Sequence, residues 1–172
     1  MIAIRPAEEK DLPEILEIYN HSILHTTSVY SYNPHTLEMR KKWFDEKMAA
    51  GHPVYVAISE NKVAGFIAYG PFRAWPAYKY TVEHSVHIHP DFRRQGIAKS
   101  LLEKMIDAAR TNNIHAIIAG IDSANIPSIK LHAQFNFKEV AHFKEVGYKF
   151  NKWLDLIFME LVLETPMNPI GD

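Results

Sequence analysis

The 172-residue sequence contains no cysteine. That excludes disulfides, cysteine metal ligands and a covalent cysteine intermediate, and it fits a cytoplasmic protein. No metal site is expected. Neither sign of charge dominates: 19 Lys and Arg against 20 Asp and Glu leave a formal net charge of −1. That balance gives no reason to expect nucleic acid or an anionic membrane as a partner. No apolar run approaches the ~20 residues of a membrane span. Residues 1–9 lack a signal-peptide profile. Internal repeats, linkers and low-complexity segments are also missing.

Hydrophobic residues make up 47% of the chain and charged residues 23%, the balance of one globular domain with a proper core. Residues 2–5 read as a short strand. Asp11 is placed as a helix N-cap, with Pro13 in the first turn, Glu14 near a capping box, and Leu12, Ile15, Leu16, Tyr19 and Ile23 as the apolar stripe. Residues 25–34, polar and aromatic without a period, read as a loop that can cover a site. Thr36 caps a second helix to about residue 50, with Trp43, Phe44 and Met48 inward; Gly51 and Pro53 end it. Strands at 54–59 and 63–69 are joined by Glu60-Asn61-Lys62, and an aromatic loop spans 70–79. A buried strand at 114–121, a short helix to Gln134, and strands at about 137–148 and 153–164 complete the order. The alternation predicts one α/β domain, residues 1–164, with a mixed, mostly antiparallel central sheet flanked by helices, and a loose tail at 165–172.

The most informative stretch runs through 80–106. Tyr80, Val82, Val86 and Ile88 alternate as in a strand, which Pro90 and Asp91 stop. Ile97, Leu101, Met105 and Ala108, with Ala98, Leu102 and Ile106 beside them, mark one side of a helix. Between the two lies Arg93-Arg94-Gln95-Gly96-Ile97-Ala98. A helix N-terminus leaves N–H groups unpaired and favours an anion. Glycine lets the backbone approach a ligand closely, and two arginines add positive charge. The stretch reads as a pyrophosphate cradle. It has no Gly-Lys-Ser/Thr, and no glycine stands two residues before Gly96, so neither common nucleotide fingerprint applies.

Arg-x-x-Gly-x-Ala after a strand resembles the GCN5-related N-acetyltransferases (GNAT). From residue 66 to about 163 the chain is similar to their phosphinothricin and methionine-sulfoximine acetyltransferase branch. The motifs are Gly70-Pro71-Phe72-Arg73, Tyr78, Thr81-Val82-Glu83-His84-Ser85-Val86, the cradle, Asn125-x-x-Ser128-x-x-Leu131-His132, Gly147-Tyr148-Lys149-Phe150 and Trp153-Leu154-Asp155-Leu156. The resemblance implies a GNAT fold, acetyl-CoA as co-substrate and a homodimer with the active site near the partner. It implies a bulge near Ser85 to His87 that splays the central strand, so that the pantetheine arm pairs with the freed backbone of Val86 and Ile88. His87 belongs to the same cofactor-facing run, Arg93, Arg94, Gln95, Gly96, Ile97 and Ala98 surround the pyrophosphate, and Asn125 and Ser128 meet the arm. Asn125 also suits a helix N-cap. Asn136 stands where the family usually has glycine; asparagine tolerates the left-handed conformation.

Without cysteine, the expected route is direct attack of an amine on the thioester in a ternary complex, driven by positioning and proton transfer. Glu83 is the candidate general base, acting directly or through a water, although a half-exposed strand carboxylate is usually plain surface. His132 is the second candidate, as acid or base, near neutral pH. Arg73 suits the acceptor's carboxylate by two-point binding. Trp75, Tyr78 and Tyr30 are expected to wall the acceptor pocket, with Ala74, His84 and Ser85 completing the contacts. An indole at Trp75 favours a neutral sulfoximine or sulfone over an anionic phosphinate, so methionine sulfoximine and methionine sulfone are the expected acceptors, with phosphinothricin as the alternative. Two rivals are a non-catalytic acyl-CoA-binding module and an enzyme acetylating protein N-termini or lysines. Glu83, His132 and Arg73 argue against the first, and the aromatic pocket with near-zero net charge against the second.

Overall fold

A computed structural model describes residues 2–171 of the chain; Met1 and Asp172, the outermost residues of the expected domain and tail, lie outside the described residues. In order the chain forms β1 (Ala3–Pro6), α1 (Leu12–His25), α2 (Leu37–Ala49), β2 (Val54–Ser59), β3 (Lys62–Pro71), β4 (Thr81–Ile88), α3 (Ile97–Thr111), β5 (Ala116–Asp122), α4 (Ile126–Gln134), β6 (Lys138–Lys149) and β7 (Lys152–Val162). All seven strands join one sheet in the order β1-β2-β3-β4-β5-β7-β6. Every neighbouring pair is antiparallel except β4 and β5, which α3 connects as a parallel crossover. The mixed, mostly antiparallel α/β architecture is the one the sequence predicts.

Two apolar layers cover the sheet. On one face α3 buries Ile97, Leu101, Leu102, Met105, Ile106 and Ala109 against Val82, Ile117 and Met159; the last inward position is Ala109, one residue past the expected Ala108. On the other face Leu12, Ile15 and Ile18 of α1 and Phe44 of α2 pack on Val56, Phe66 and Ala68. Asp11 does not cap α1 with its side chain. Its carboxylate is already held by Arg5 at 2.7 and 2.8 Å and by the Glu8 N–H at 2.8 Å, closing a capping box around the 3₁₀ turn one step earlier.

The second helix departs further from expectation. Thr36 caps it as predicted, accepting from the Met39 N–H at 3.2 Å. Its inward side, however, holds Arg40 and Phe44, with Trp43 and Lys47 half-buried, and Met48 is 45% exposed. The Arg40 guanidinium takes an apolar place by lying 4.0 and 4.5 Å from the Tyr19 and Trp43 ring centres, an attraction that aromatic faces offer a cation. Lys47 then reaches the β3 backbone, donating to Tyr69 O at 2.8 Å.

Between β2 and β3 the turn is two residues, Glu60 and Asn61, both with positive φ, and Lys62 already pairs with Ser59. The β3–β4 register runs unbroken from Pro71↔Val82 to Gly65↔Ile88, so the expected bulge near Ser85 to His87 is not there. The expected splay is there, by other means. Only Thr81 to His84 pair with β5, because β5 turns away to follow β7 as far as Asp122↔Leu156. Asn136 adopts φ 65°, as its place required. The edge strand β6 slips register twice against β7, between Glu139 and Ala141 and between Phe143 and Gly147. Along the expected tail, Thr165 Oγ1 donates to Ile114 O at 2.6 Å, and the Ile170 N–H donates to Tyr80 Oη at 2.9 Å.

Candidate active site

The turn between β4 and α3 builds the cradle from two left-handed residues, Arg94 (φ 62°) and Gly96 (φ 79°), with Gly96 as the N-cap of α3. A non-glycine residue in that region is under strain, a feature that clusters at functional sites. Gly96 offers no capping side chain, so the first-turn N–H groups face outward unfilled, and a Cβ built on Gly96 would meet nothing within 4 Å. Arg93, Arg94 and Gln95 are exposed, while the Ile97 side chain is core and leaves only its N–H to a ligand. The Cβ of Ala98 is half-buried. An open, basic, uncapped helix start of this kind fits a pyrophosphate.

Where β4 and β5 part, a narrow cavity of about 70 Å³ opens between Ser85 and Val86 on one side and Gly120 to Asp122 on the other, with Asn125, Ser128 and His132 at its end. Asn125 is the N-cap of α4, accepting from the Ser128 N–H at 3.3 Å. Two buried acceptors of lining residues, His84 Nδ1 and Asp122 Oδ2, have no partner among the described residues. Together with the unladdered side of β4 beyond His84, they suit an amide-bearing arm.

His84 and His132 meet behind this cavity, Nε2 to Nε2 at 3.0 Å. His132 Nδ1 lies 2.7 Å from the Ser128 carbonyl, which can only accept, so Nδ1 carries the proton. His132 Nε2 is then the acceptor and His84 Nε2–H the donor. Burial first, then the charges His132 and His87 would carry, push His84 down to about 3. Burial also lowers His132, against the pull of the Ser128 carbonyl. Both nitrogens of His132 are therefore engaged inside the protein. His87, expected to face the cofactor, turns to the opposite layer: it stacks on Phe66, its Nδ1 lies 3.2 Å from Ser22 Oγ, and burial followed by Arg40 holds it at about 4.

A second cavity of about 280 Å³ lies on the α1/α2 face, walled by Trp43 and Lys47 and floored by Ala68, Gly70, Glu83 and Ser85. Ser85 and His84 border both cavities. Burial raises the Glu83 carboxyl above its ordinary range, opposed by the nearby charge of Arg73. Its Oε1 lies 3.0 Å from where a Cβ on Gly120 would stand, so that glycine makes room for it. Arg73 and Ala74 are exposed, and the Arg73 guanidinium sits 4.5 Å from the Phe72 ring centre. Trp75 is 68% and Tyr78 40% exposed, and neither lines this cavity within one chain. Its aromatic wall is Trp43 instead; Tyr69 borders it with its backbone, while the Tyr69 ring packs in the α3 layer. Trp43 and Lys47 sit on a helix whose pattern had no sharp apolar stripe, and only the fold brings them to β4.

The loop between α1 and α2 forms a roof. Ser28 borders the narrow cavity. Tyr30 donates to Asp155 O at 3.1 Å rather than walling the second cavity, and burial pushes its hydroxyl up to about 12. Lys149 holds the loop from beneath: its buried ammonium donates to Ile23 O, Thr26 O and Val29 O at 2.6, 2.8 and 2.7 Å.

Beside this geometry stand the chain's similarities to known proteins. The sequence profile described as the Acetyltransferase (GNAT) family matches residues 13–137. A Salmonella typhimurium protein named L-methionine sulfoximine/L-methionine sulfone acetyltransferase is 38% identical over 98% of both chains. A Streptomyces coelicolor phosphinothricin N-acetyltransferase is 31% identical over 92% of this chain and 95% of its own. A solved Salmonella typhimurium structure, described as a putative acetyltransferase with its cofactor acetyl-CoA, superposes with a TM-score of 0.96 at 37% identity over 99% of each chain. The chain belongs to the GNAT family of acetyltransferases.

Proposed function

We propose that the chain transfers the acetyl group of acetyl-CoA to the α-amino group of a small amino-acid analogue, methionine sulfoximine or methionine sulfone before phosphinothricin. The observation that carries this reading is Glu83: a carboxyl with a raised ionisation range, at the border of an acceptor-sized cavity and beside the gap between β4 and β5. The relative named for sulfoximine and sulfone acetylation is also more similar in sequence than the phosphinothricin relative.

In this reading Arg93 to Ala98 hold the pyrophosphate, the β4 backbone at Val86 and Ile88 pairs with the pantetheine arm, and Asn125 and Ser128 meet its end. Acetyl-CoA supplies the acetyl group as a thioester. Glu83 takes the proton that makes the acceptor nitrogen nucleophilic, directly or through a water. The new N–C bond forms as the C–S bond breaks, and the second proton shed by the acceptor nitrogen ends on the departing thiolate. A raised carboxyl is a better proton acceptor near neutral pH than an ordinary one. His132 acts by position, since both its nitrogens are engaged. The exposed Trp75 and Tyr78 support a homodimer, in which a second copy covers them beside the acceptor cavity.

Glu83→Gln keeps size and polarity but removes the base. Turnover on methionine sulfone is expected to fall about 10²- to 10⁴-fold, with acetyl-CoA affinity by calorimetry unchanged. Wild-type turnover in that variant would reject Glu83 as the base.

A further inference from the structure

The acceptor cavity holds two opposite charges that do not pair with each other. Gly70 and Glu83 are directly opposed residues of β3 and β4. The Lys47 ammonium lies on top of Gly70, where any Cβ would collide with it. On the other side of β4, the Glu83 carboxyl extends over Gly120 of β5. One glycine on each flanking strand thus makes room for one charge. Lys47 donates a single hydrogen bond, to Tyr69 O, which leaves two of its three N–H groups available. No carboxylate among the described residues lies within ion-pair distance of it. A half-buried ammonium without a counter-ion, at the wall of a cavity, is a place prepared for an anion.

We infer that Lys47 anchors the carboxylate of the acceptor, so that Lys47 and Glu83 form the two poles of a cavity for an α-amino-acid zwitterion. Lys47 and Glu83 are not within ion-pair distance of each other, and two charge-assisted hydrogen bonds of about 2.8 Å each, with the α-carbon and its two charged groups between them, bridge such a separation. The acceptor's ammonium then lies against Glu83, which removes its proton, while Lys47 stops the molecule from turning end for end. Arg73, exposed and outside the cavity lining, contributes its field at the entrance and not the anchor. This assignment rests on the acetyltransfer reading for its reaction, but not for its binding step.

The test is calorimetry and steady-state kinetics on wild type, Lys47→Met, Lys47→Arg and Arg73→Gln, with thermal unfolding to show that each variant is folded. The acceptors are L-methionine sulfone and methylsulfonylpropylamine, the same molecule without its carboxylate. Lys47→Met should weaken binding of the amino acid and raise its KM about tenfold or more. It should leave the amine unaffected, and Lys47→Arg should recover most of the loss. Arg73→Gln should show no such selectivity. Equal effects of Lys47→Met on both acceptors, or no effect on the amino acid, would overturn the assignment and leave the acetyltransferase reading intact. Selective binding through Lys47 with no acetyl transfer would sink that reading and leave the anchor standing.

Discussion

His84 and His87 sit three positions apart on β4 and face opposite layers of the protein, and burial keeps both neutral, down to about 3 and about 4. In the unfolded chain a histidine takes up its proton near pH 6.5. The unfolded state therefore binds more protons than the folded one at every pH between those values. The stability these groups contribute is complete above about pH 6.5 and is lost as pH falls through that window, at about 1.4 kcal/mol per pH unit for each proton. Chemical unfolding measured from pH 7.5 to 4.5 should show this slope, and His87→Gln should reduce it; a pH-independent midpoint would contradict the burial of both rings. At this scale the sequence showed the chemistry-bearing residues that share an element or a motif. Glu83, the cradle arginines and Asn125 were legible because their neighbours in the chain are also their neighbours in space. Lys47 was not, because only the folding of α2 across β3 brings it to Glu83.

The strand-turn-helix unit of β4 and α3 was the most readable element, since a period-two run, a stop and a period-3.6 run follow one another without interruption. Its conformational requirement sits at Gly96, whose φ of 79° places any side chain in an unfavourable region. Gly96→Val should lower acetyl-CoA affinity at least tenfold, by strain in the turn and by covering the N–H groups of the helix start, at about 1–2 kcal/mol of stability. Unchanged calorimetric affinity in a folded variant would remove the cradle from the binding site. Helix α2 was harder to read. A guanidinium between two rings and an ammonium on a backbone carbonyl replace apolar contacts on its inward side, so counting hydrophobic residues misplaced Met48. The bulge expected in β4 failed for a similar reason: the parting from β5 is made by the course of β5, which carries no local signature in β4.

Across the whole molecule, Lys149 ties the last hairpin to the first helix. Its buried ammonium satisfies three carbonyls at and beyond the end of α1. Lys149→Met should cost about 2 kcal/mol of stability and speed amide hydrogen exchange in residues 26–34, the roof beside the narrow cavity. Unaltered exchange there would show that Tyr30 and Tyr32, whose hydroxyls donate to Asp155 O and Tyr148 O, hold the loop alone. Such a contact, over more than a hundred residues, has no sequence pattern, and the same is true of the tail held by Tyr80. The outer margin of the sheet has a consequence of its own. Strand β6 ends the seven-strand order, is exposed over most of its length, and is interrupted twice, with Glu145 turned left-handed at one interruption. Irregularities of this kind, with exposed lysines at 138 and 144, deny an incoming chain a straight row of amides to zip onto. Such a margin resists growth into a fibril.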